Sequence, residues 1–238
     1  MRRIAAAIAV VLCVVAASDA AAVTDDALRR VDSQRVLFGH QSVGWNILDG
    51  VGTVYSRRGI TAPDVIDELP DSGPGFAQIE IGSNGDPASK FSDFEAAVTA
   101  QDPQVAVMKL CFVDLTAGTK ARSVFAQYRR MVTRIRQSNP QTRLVHMTVP
   151  LTTDDPASNI VRQRYNALVR KVYGGDIIDI ARVESTRPDG SRVGGPHNGK
   201  RYFALWRGYA SDDGHLNTRG SVRVAKVFLQ RITTSDSR

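Results

Sequence analysis

Short apolar runs alternate with longer stretches of helical periodicity over most of this chain. Each run is short enough for a buried strand and is followed by a polar or glycine-containing stretch. Four runs predict strands: residues 35–38, 104–110, 142–148 and 176–180.

Apolar residues recur at intervals of three and four within residues 124–135 and 160–172, which predicts amphipathic helices. A last helix is predicted to start at Asn217-Thr218, a good N-cap pair, and to run to about Ile232. Strands that alternate with helices favour a parallel sheet covered on both faces. We therefore expect a three-layer α/β/α sandwich, flavodoxin-like, with about five parallel strands.

Two stretches interrupt this alternation. Residues 61–89 are rich in Pro, Gly, Asp and Ser, and residues 184–211 hold Gly, Pro, Arg and aromatic residues. Ligands of open α/β sheets bind beyond the carboxyl ends of the strands, and long loops there are often functional. We expect both stretches to be loops that wall a site.

The first 22 residues have the pattern of a secretory signal peptide. Met1-Arg2-Arg3 is basic, residues 4–17 are almost continuously apolar, and Ala20-Ala21-Ala22 offers a cleavage site. The apolar stretch is short for a membrane span, although an uncleaved N-terminal anchor is the alternative. No later segment is apolar enough to cross a bilayer. We expect a single domain over residues 23–238, secreted or periplasmic after cleavage.

Composition and net charge limit the kinds of binding partner to be expected. With 42% hydrophobic and 23% charged residues, the 238-residue chain is typical of a folded globular protein. Its formal charge of +7 becomes +6 without residues 1–22. This charge favours anionic partners such as acidic glycans, wall polymers or lipid head groups, or else is a solvated basic surface. No basic run interleaved with aromatic residues appears, so nucleic acid is not an expected partner.

Cysteine and histidine usage predicts neither a disulfide nor a metal site. Cys13 lies in the predicted signal peptide, which leaves Cys111 as the one cysteine of residues 23–238. Cys111 is either a small buried residue or a reactive thiol. The four histidines form no recognisable metal motif with Cys111 or nearby carboxylates, and no phosphate-binding glycine loop is present. We expect no metal and no cofactor.

The segment F-G-H-Q-S-V-G, residues 38–44, places Ser42 between the first predicted strand and a helix. A serine at the carboxyl end of a strand exposes its hydroxyl, and the nearby helix start favours negative charge. A nucleophile that generates an oxyanion needs this position. The alternative is that Ser42 only caps the following helix.

The segment D-D-G-H-L-N, residues 212–217, precedes the last predicted helix. Asp212 and His215 are three residues apart on a predicted tight loop. There the carboxylate can bond one ring nitrogen and leave the other to accept the Ser42 proton. The sequence therefore predicts Ser42, His215 and Asp212 as a catalytic triad.

This order of motifs resembles the SGNH/GDSL family of serine hydrolases, of which the chain looks like a divergent member. Residues 38–44 are similar to the first conserved block, 82–86 (G-S-N-G-D) to the second, and 212–217 match the fifth closely. The resemblance implies ester hydrolysis through an acyl-enzyme, with the N–H groups of Ser42 and Gly85 holding the oxyanion.

The third block departs from the family pattern. In K-L-C-F-V-D, residues 109–114, Val113 stands where the family has an asparagine that donates to the oxyanion, and Cys111 where it has glycine. Either another donor has taken over, with Asn84, Gln41 and His40 as candidates, or the oxyanion hole is incomplete. His40 is a second base, an oxyanion donor, or a residue that packs to hold the Ser42 loop.

The resemblance implies an exported esterase for short O-acyl esters, acetyl foremost, on a small ester or an acylated carbohydrate. A non-catalytic or weak carbohydrate-binding relative on the same scaffold is the main alternative. A lipase or thioesterase for longer acyl chains is a third, and it requires an apolar acyl groove. The sequence leaves the oligomeric state open.

Overall fold

The computed structural model describes residues 23–234. The predicted signal peptide, residues 1–22, lies outside the described residues. Within them the α-helices are α1 Asp25–Val31, α2 Val43–Ser56, α3 Pro87–Gln101, α4 Ala121–Ser138, α5 Pro156–Tyr173, α6 Ile180–Glu184 and α7 Thr218–Thr233. The strands are β1 Arg35–His40, β2 Val65–Ile66, β3 Gly75–Glu80, β4 Val105–Met108, β5 Arg143–Met147, β6 Ile177–Ile178, β7 Gly194–His197 and β8 Lys200–Phe203.

Six strands form one parallel sheet in the order β2-β3-β1-β4-β5-β6. Phe38 of β1 lies beside Gln78 of β3 on one side and Val107 of β4 on the other. Without the two-residue edge strand β2, the order is the flavodoxin-like one in which the chain reverses direction across the sheet at β1 and β4. The predicted fold class is confirmed, with six strands instead of about five.

Helices cover both faces of the sheet and create two cores. One core joins the sheet to α1, α2 and α7 and includes Phe38, Ile47 and Phe228. The other joins it to α3, α4 and α5 and includes Phe94, Phe125 and Tyr165. No helix within residues 23–234 is long and apolar enough to cross a membrane.

The stretch 61–89 is more ordered than its composition predicts. It contains β2, β3 and the start of α3, so regular structure interrupts the expected loop, while residues 61–64, 67–74 and 81–86 lie outside strands and helices. Buried and exposed positions do not alternate along β3, since the neighbouring residues Phe76 and Ala77 are both buried while Glu80 is exposed. Its backbone pairing with β1 stabilises it as a strand. Residues 81–86 form the connection that follows the carboxyl end of β3.

The stretch 184–211 likewise holds regular structure. The strands β7 and β8 form an antiparallel hairpin in it, and a short 3₁₀ turn covers Arg207–Tyr209. The hairpin lies on α5, where the side chain of Gln163 bonds the main chain of Arg201 and Phe203.

The helices that flank the predicted triad residues pack directly on each other. Gly50 of α2 faces the main chain of Ser221 in α7, and a Cβ atom at Gly50 would lie 2.3 Å from the Ser221 carbonyl oxygen. A larger residue would therefore separate the helices. The helix that follows Ser42 and the helix that follows His215 are thus held side by side.

Candidate active site

Ser42 occupies a sharp turn between β1 and α2. It is the N-cap of α2, with φ 55° and ψ −113°, a region that residues other than glycine rarely adopt. Its side chain makes no capping bond to the helix; its Oγ lies 2.7 Å from His215 Nε2. The alternative interpretation of Ser42 as a simple helix cap therefore does not describe this structure.

His215 and Asp212 lie on one tight loop before α7. The Nδ1 of His215 is 2.8 Å from Asp212 Oδ2, while Asp212 Oδ1 accepts the backbone N–H groups of Gly214 and His215. Those N–H groups, Gly214 first, lower the pKa of Asp212 to about 2. The carboxylate is therefore ionised and can only accept, which assigns the Nδ1 proton to the imidazole and leaves Nε2 to accept from Ser42.

Three neighbouring segments fix this loop. Asp213 accepts from both the N–H and the hydroxyl of Thr153, and the N–H of Leu216 donates to Asn46 of α2. The ring of Phe112 meets the His215 imidazole edge-on at 5.7 Å. The prediction that Asn217 caps α7 is confirmed, since its side chain accepts from the Gly220 N–H. The sequence patterns gave no signal for Asn46 or Phe112.

His40 lies beneath the Ser42 turn. It is fully buried, stacks on Phe38 and meets the edge of Trp45, and within residues 23–234 neither ring nitrogen has a hydrogen-bond partner. Burial lowers the pKa of His40 to about 3, so its ring is neutral. A Cβ at Gly44 would lie 2.2 Å from His40 Nδ1, so glycine is required where α2 starts over this ring. Among the roles predicted for His40, this burial favours packing that holds the Ser42 loop.

The loop after β3 faces the Ser42 turn, but its N–H groups are largely occupied. The Gly85 N–H donates to Asp114 Oδ1 at 2.8 Å, so Gly85 is not free to hold an oxyanion as expected. The Gly82 N–H donates to Asp93 and the Ser83 N–H to Ser89. The Gly85 N–H, predicted to donate to the oxyanion, instead donates to the carboxylate of Asp114, 29 positions later in the chain.

Two other predicted donors, Gln41 and Asn84, lie at this loop. Gln41 Nε2 donates to the Gly82 carbonyl at 2.6 Å and so ties the Ser42 turn to the loop. Asn84 Oδ1 accepts from Lys90 Nζ at 2.9 Å. Within residues 23–234 the Asn84 backbone N–H and side-chain NH₂ bond no protein group, and the residue is exposed. Asn84 is thus a candidate with free donors, whereas the side chain of Val113, also exposed, has no donor.

A buried ion pair holds the second and third blocks together. Lys90 Nζ lies 2.8 Å from Asp114 Oδ2, and both side chains are 0% exposed. Asp114 also accepts the N–H groups of Gly85 and Cys111. No sequence pattern predicted this pair, because a lysine on a helix with weak apolar periodicity gives no sign of burial.

Cys111 is free and fully buried behind the Ser42 turn. Its Sγ lies 3.3 Å from Lys109 Nζ and 3.6 Å from the carbonyl oxygen of Gln41. Burial lowers the pKa of Lys109. Among residues 23–234 no group of three or more His, Cys, Asp or Glu side chains is arranged to hold a metal ion.

The comparison with known families agrees with this geometry. The profile of the GDSL-like lipase/acylhydrolase family matches residues 46–223, which is more than half of the chain. The chain belongs to the GDSL-like lipase/acylhydrolase family. The match includes Asp212 and His215 but begins four residues after Ser42, so the first block lies outside it. Because this is a family of acylhydrolases, the protein is an ester hydrolase.

Solved structures of low sequence identity share the fold. An acetyl xylan esterase, AlAXEase, aligns with a TM-score of 0.54 at 17% identity, covering 82% of this chain and 98% of that one. A protein described as lipolytic and of the G-D-S-L family, from Desulfitobacterium hafniense DCB-2, aligns with a TM-score of 0.51 at 12% identity, covering 82% and 97%. No curated protein sequence matches the chain.

Proposed function

We propose that this family member is an exported serine esterase that removes short O-acyl groups, acetyl foremost, from carbohydrate. The observation that carries the proposal is the continuous hydrogen-bonded chain from Ser42 Oγ through His215 to Asp212. Export rests on the signal-peptide pattern of residues 1–22.

In this mechanism Ser42 Oγ attacks the ester carbonyl as its proton passes to His215 Nε2. The ionised Asp212 stabilises the imidazolium that forms. His215 then gives the proton to the departing alcohol, which leaves the acyl group on Ser42. A water molecule, deprotonated by His215, attacks the acyl-enzyme and releases the acid.

The openness of the site supports a bulky alcohol such as a sugar. The side chains of Asp212 and His215 are 58% and 38% exposed, so a substrate can reach the catalytic residues from solvent. Trp45, three residues after Ser42, is 42% exposed and its indole N–H is held by Glu80. An exposed, fixed aromatic ring beside a nucleophile offers an apolar face for a sugar ring. The fold-level likeness to an acetyl xylan esterase agrees with this choice.

The direct test uses the purified protein. We expect it to release acetate from p-nitrophenyl acetate, to act more slowly on long-chain esters, and to be labelled by a fluorophosphonate at Ser42. Slower action on long chains is expected because the loops bonded to the Ser42 turn, residues 81–86 and 211–216, are polar and glycine-containing and offer little apolar surface to a long acyl chain. Lack of labelling together with no acetate release from short esters or acetylated xylan would contradict the proposal.

One observation favours the alternative, a weak or inactive carbohydrate-binding relative. Val113 replaces the oxyanion asparagine and the Gly85 N–H is bonded to Asp114, so two expected donors are missing. Losing one oxyanion donor costs about a hundred- to thousandfold in rate. The two proposals predict different rates of short-ester hydrolysis. An esterase turns over short esters faster than its Ser42→Ala variant does, whereas an inactive relative does not.

We propose that Asn84 supplies the missing donor alongside the Ser42 N–H. Asn84→Asp keeps an oxygen for Lys90 but removes the NH₂ group, so we expect kcat on p-nitrophenyl acetate to fall by about a hundredfold with little change in KM. Ser83→Ala, on the exposed neighbouring residue, is the matched control and is expected to keep wild-type kinetics. Equal kcat values for Asn84→Asp and wild type would rule out this role of Asn84.

A further inference from the structure

A basic groove of about 540 Å³ lies along α7, and its lining on that helix begins at Thr218 and Arg219, three and four positions after His215. Its charged lining consists of Arg57, Arg219, Arg223 and Lys226, and its floor includes the buried side chains of Tyr209 and Val222. We call these residues the α7 groove. No acidic residue lines it.

The four cations of the α7 groove are not neutralised by the protein. Within residues 23–234 none of them lies within 4 Å of a carboxylate, in contrast to exposed arginines such as Arg134, which pairs with Glu95, and Arg207, which pairs with Asp154; what distinguishes the groove is that four unpaired cations line one concave surface. Nor do their side-chain nitrogens donate any hydrogen bond within this part of the chain. Four like charges around one groove repel each other, so an anion that enters gains from all four.

Aromatic rings orient two of these arginines. The guanidinium carbon of Arg219 lies 5.2 Å from the Trp206 ring centroid and 5.7 Å from that of Tyr209, and Arg223 lies 6.0 Å from Tyr209. A guanidinium over a ring face keeps its N–H groups free in its own plane. Both arginines are therefore held in place for bidentate contact with carboxylates or other oxyanions.

The α7 groove is continuous with the active-site loop. Ala210 pairs with Leu216, and the Asn217 N–H donates to the Tyr209 carbonyl at 2.8 Å, so the groove floor and the His215 loop are two arms of one small hairpin. Arg219 is four residues after His215 and lies in the first turn of α7. The groove runs from there along α7 toward Arg57, which caps the far end of α2.

We propose that the α7 groove binds an anionic polysaccharide, a glycan chain with carboxylate groups, and so presents its acyl groups to Ser42. The proposal rests on the proposed esterase function and specifies its substrate class. Arg219, Arg223 and Lys226 are spaced by four and three residues along one helix face, about 6 and 4.5 Å apart along the axis. Such steps are comparable with the length of one sugar residue in a polyuronate.

The shape of the groove favours a polysaccharide over a membrane or a nucleic acid. Of its apolar side chains, Tyr209 and Val222 are buried at the floor and only the small ring of Pro188 is exposed, which is too little apolar surface to enter a lipid layer. The same burial leaves no exposed aromatic face in the groove on which bases can stack. A single extended chain that carries one negative charge per unit fits a concave, basic surface of this kind.

The test measures binding of polygalacturonate by calorimetry at low and high salt. We expect the Arg219→Gln/Arg223→Gln/Lys226→Gln variant to bind at least about tenfold more weakly than wild type, and wild-type binding to weaken steeply with salt. The matched control, Arg122→Gln/Arg129→Gln/Arg130→Gln, removes the same charge from the exposed face of α4 and is expected to bind within about twofold of wild type. Unchanged circular dichroism and Tm in both variants will show that the fold is intact.

The same measurement on Ser42→Ala separates this proposal from the esterase proposal, because binding in the α7 groove does not need the hydroxyl. If Ser42→Ala no longer hydrolyses esters but still binds polygalacturonate, the groove proposal is supported and the lost activity is assigned to the active site. Equal losses in the groove variant and the α4 control would overturn the groove proposal, since binding would then follow net charge. Selective loss of binding to anionic lipid vesicles or to DNA, with no polygalacturonate binding in wild type, would also overturn it.

Discussion

Replacing Ser42 or His215 by alanine is expected to lower kcat on p-nitrophenyl acetate by about a thousandfold or more. Ser42 is inert at its own pKa and needs a base; His215 Nε2, at 2.7 Å, is the base within reach of its hydroxyl. Because the two residues act as one unit, the double variant is expected to be hardly slower than either single variant.

Asp212→Ala is expected to reduce kcat less than either of these changes, because Asp212 orients and stabilises the imidazole without reacting. Its low pKa, about 2, keeps it ionised throughout the range in which esters are assayed. Protonation of Asp212 therefore does not contribute to any loss of activity on the acid side of a pH–rate profile. The kcat values of the single and double variants, measured from pH 5 to 9 in roughly unit steps, check both statements.

Ser211→Ala is the matched control for this series. Ser211 is an exposed serine on the same loop, and its side chain makes no hydrogen bond within residues 23–234. It is expected to retain wild-type kinetics. A wild-type rate equal to that of Ser42→Ala, on short esters and on acetylated polysaccharide alike, would refute hydrolysis by Ser42 and leave the carbohydrate-binding alternative.

Asp114→Ala is expected to lower the free energy of unfolding by about 3–5 kcal/mol. The change leaves the ammonium group of Lys90 buried without a counter-charge and also leaves the N–H groups of Gly85 and Cys111 without an acceptor. For a domain of this size the loss corresponds to a fall in Tm of about 10 °C. Urea unfolding followed by circular dichroism measures it.

The control for Asp114 is Asp93→Ala. Asp93 reaches the same loop, where it accepts the Gly82 N–H, but it is exposed to water. Its removal is expected to cost about 1 kcal/mol or less, since water can replace the lost acceptor. Adding Lys90→Met to Asp114→Ala is expected to restore part of the stability by removing the uncompensated charge. A loss below about 1 kcal/mol for Asp114→Ala alone would show that the pair does not stabilise the fold.

The features that the sequence predicted well are local ones. Ser42 directly after a strand, Asp212 three residues before His215, and Asn217 as the cap of α7 are each specified within one turn or one helix start. Such short-range geometry follows from backbone preferences, which nearby residues dictate. The alternation of apolar runs and amphipathic helices likewise sufficed for the fold class.

The features that the sequence did not reveal depend on residues far apart in the chain. The pairing of β3 with β1 makes residues 75–80 a strand despite a glycine- and proline-rich setting. The Gly85 N–H is bonded because Asp114, 29 positions later, accepts it.

By itself, the sequence determined the α/β sandwich, the family resemblance and the three residues proposed for catalysis, because each follows from the spacing of residues close together in the chain. Only the tertiary structure decided which oxyanion donors are free, since the partner of an N–H group is set by packing between distant segments. The same holds for the α7 groove, where Arg57 joins Arg219, Arg223 and Lys226 only because α2 packs on α7. Charge counted along a chain cannot show where on the surface that charge gathers.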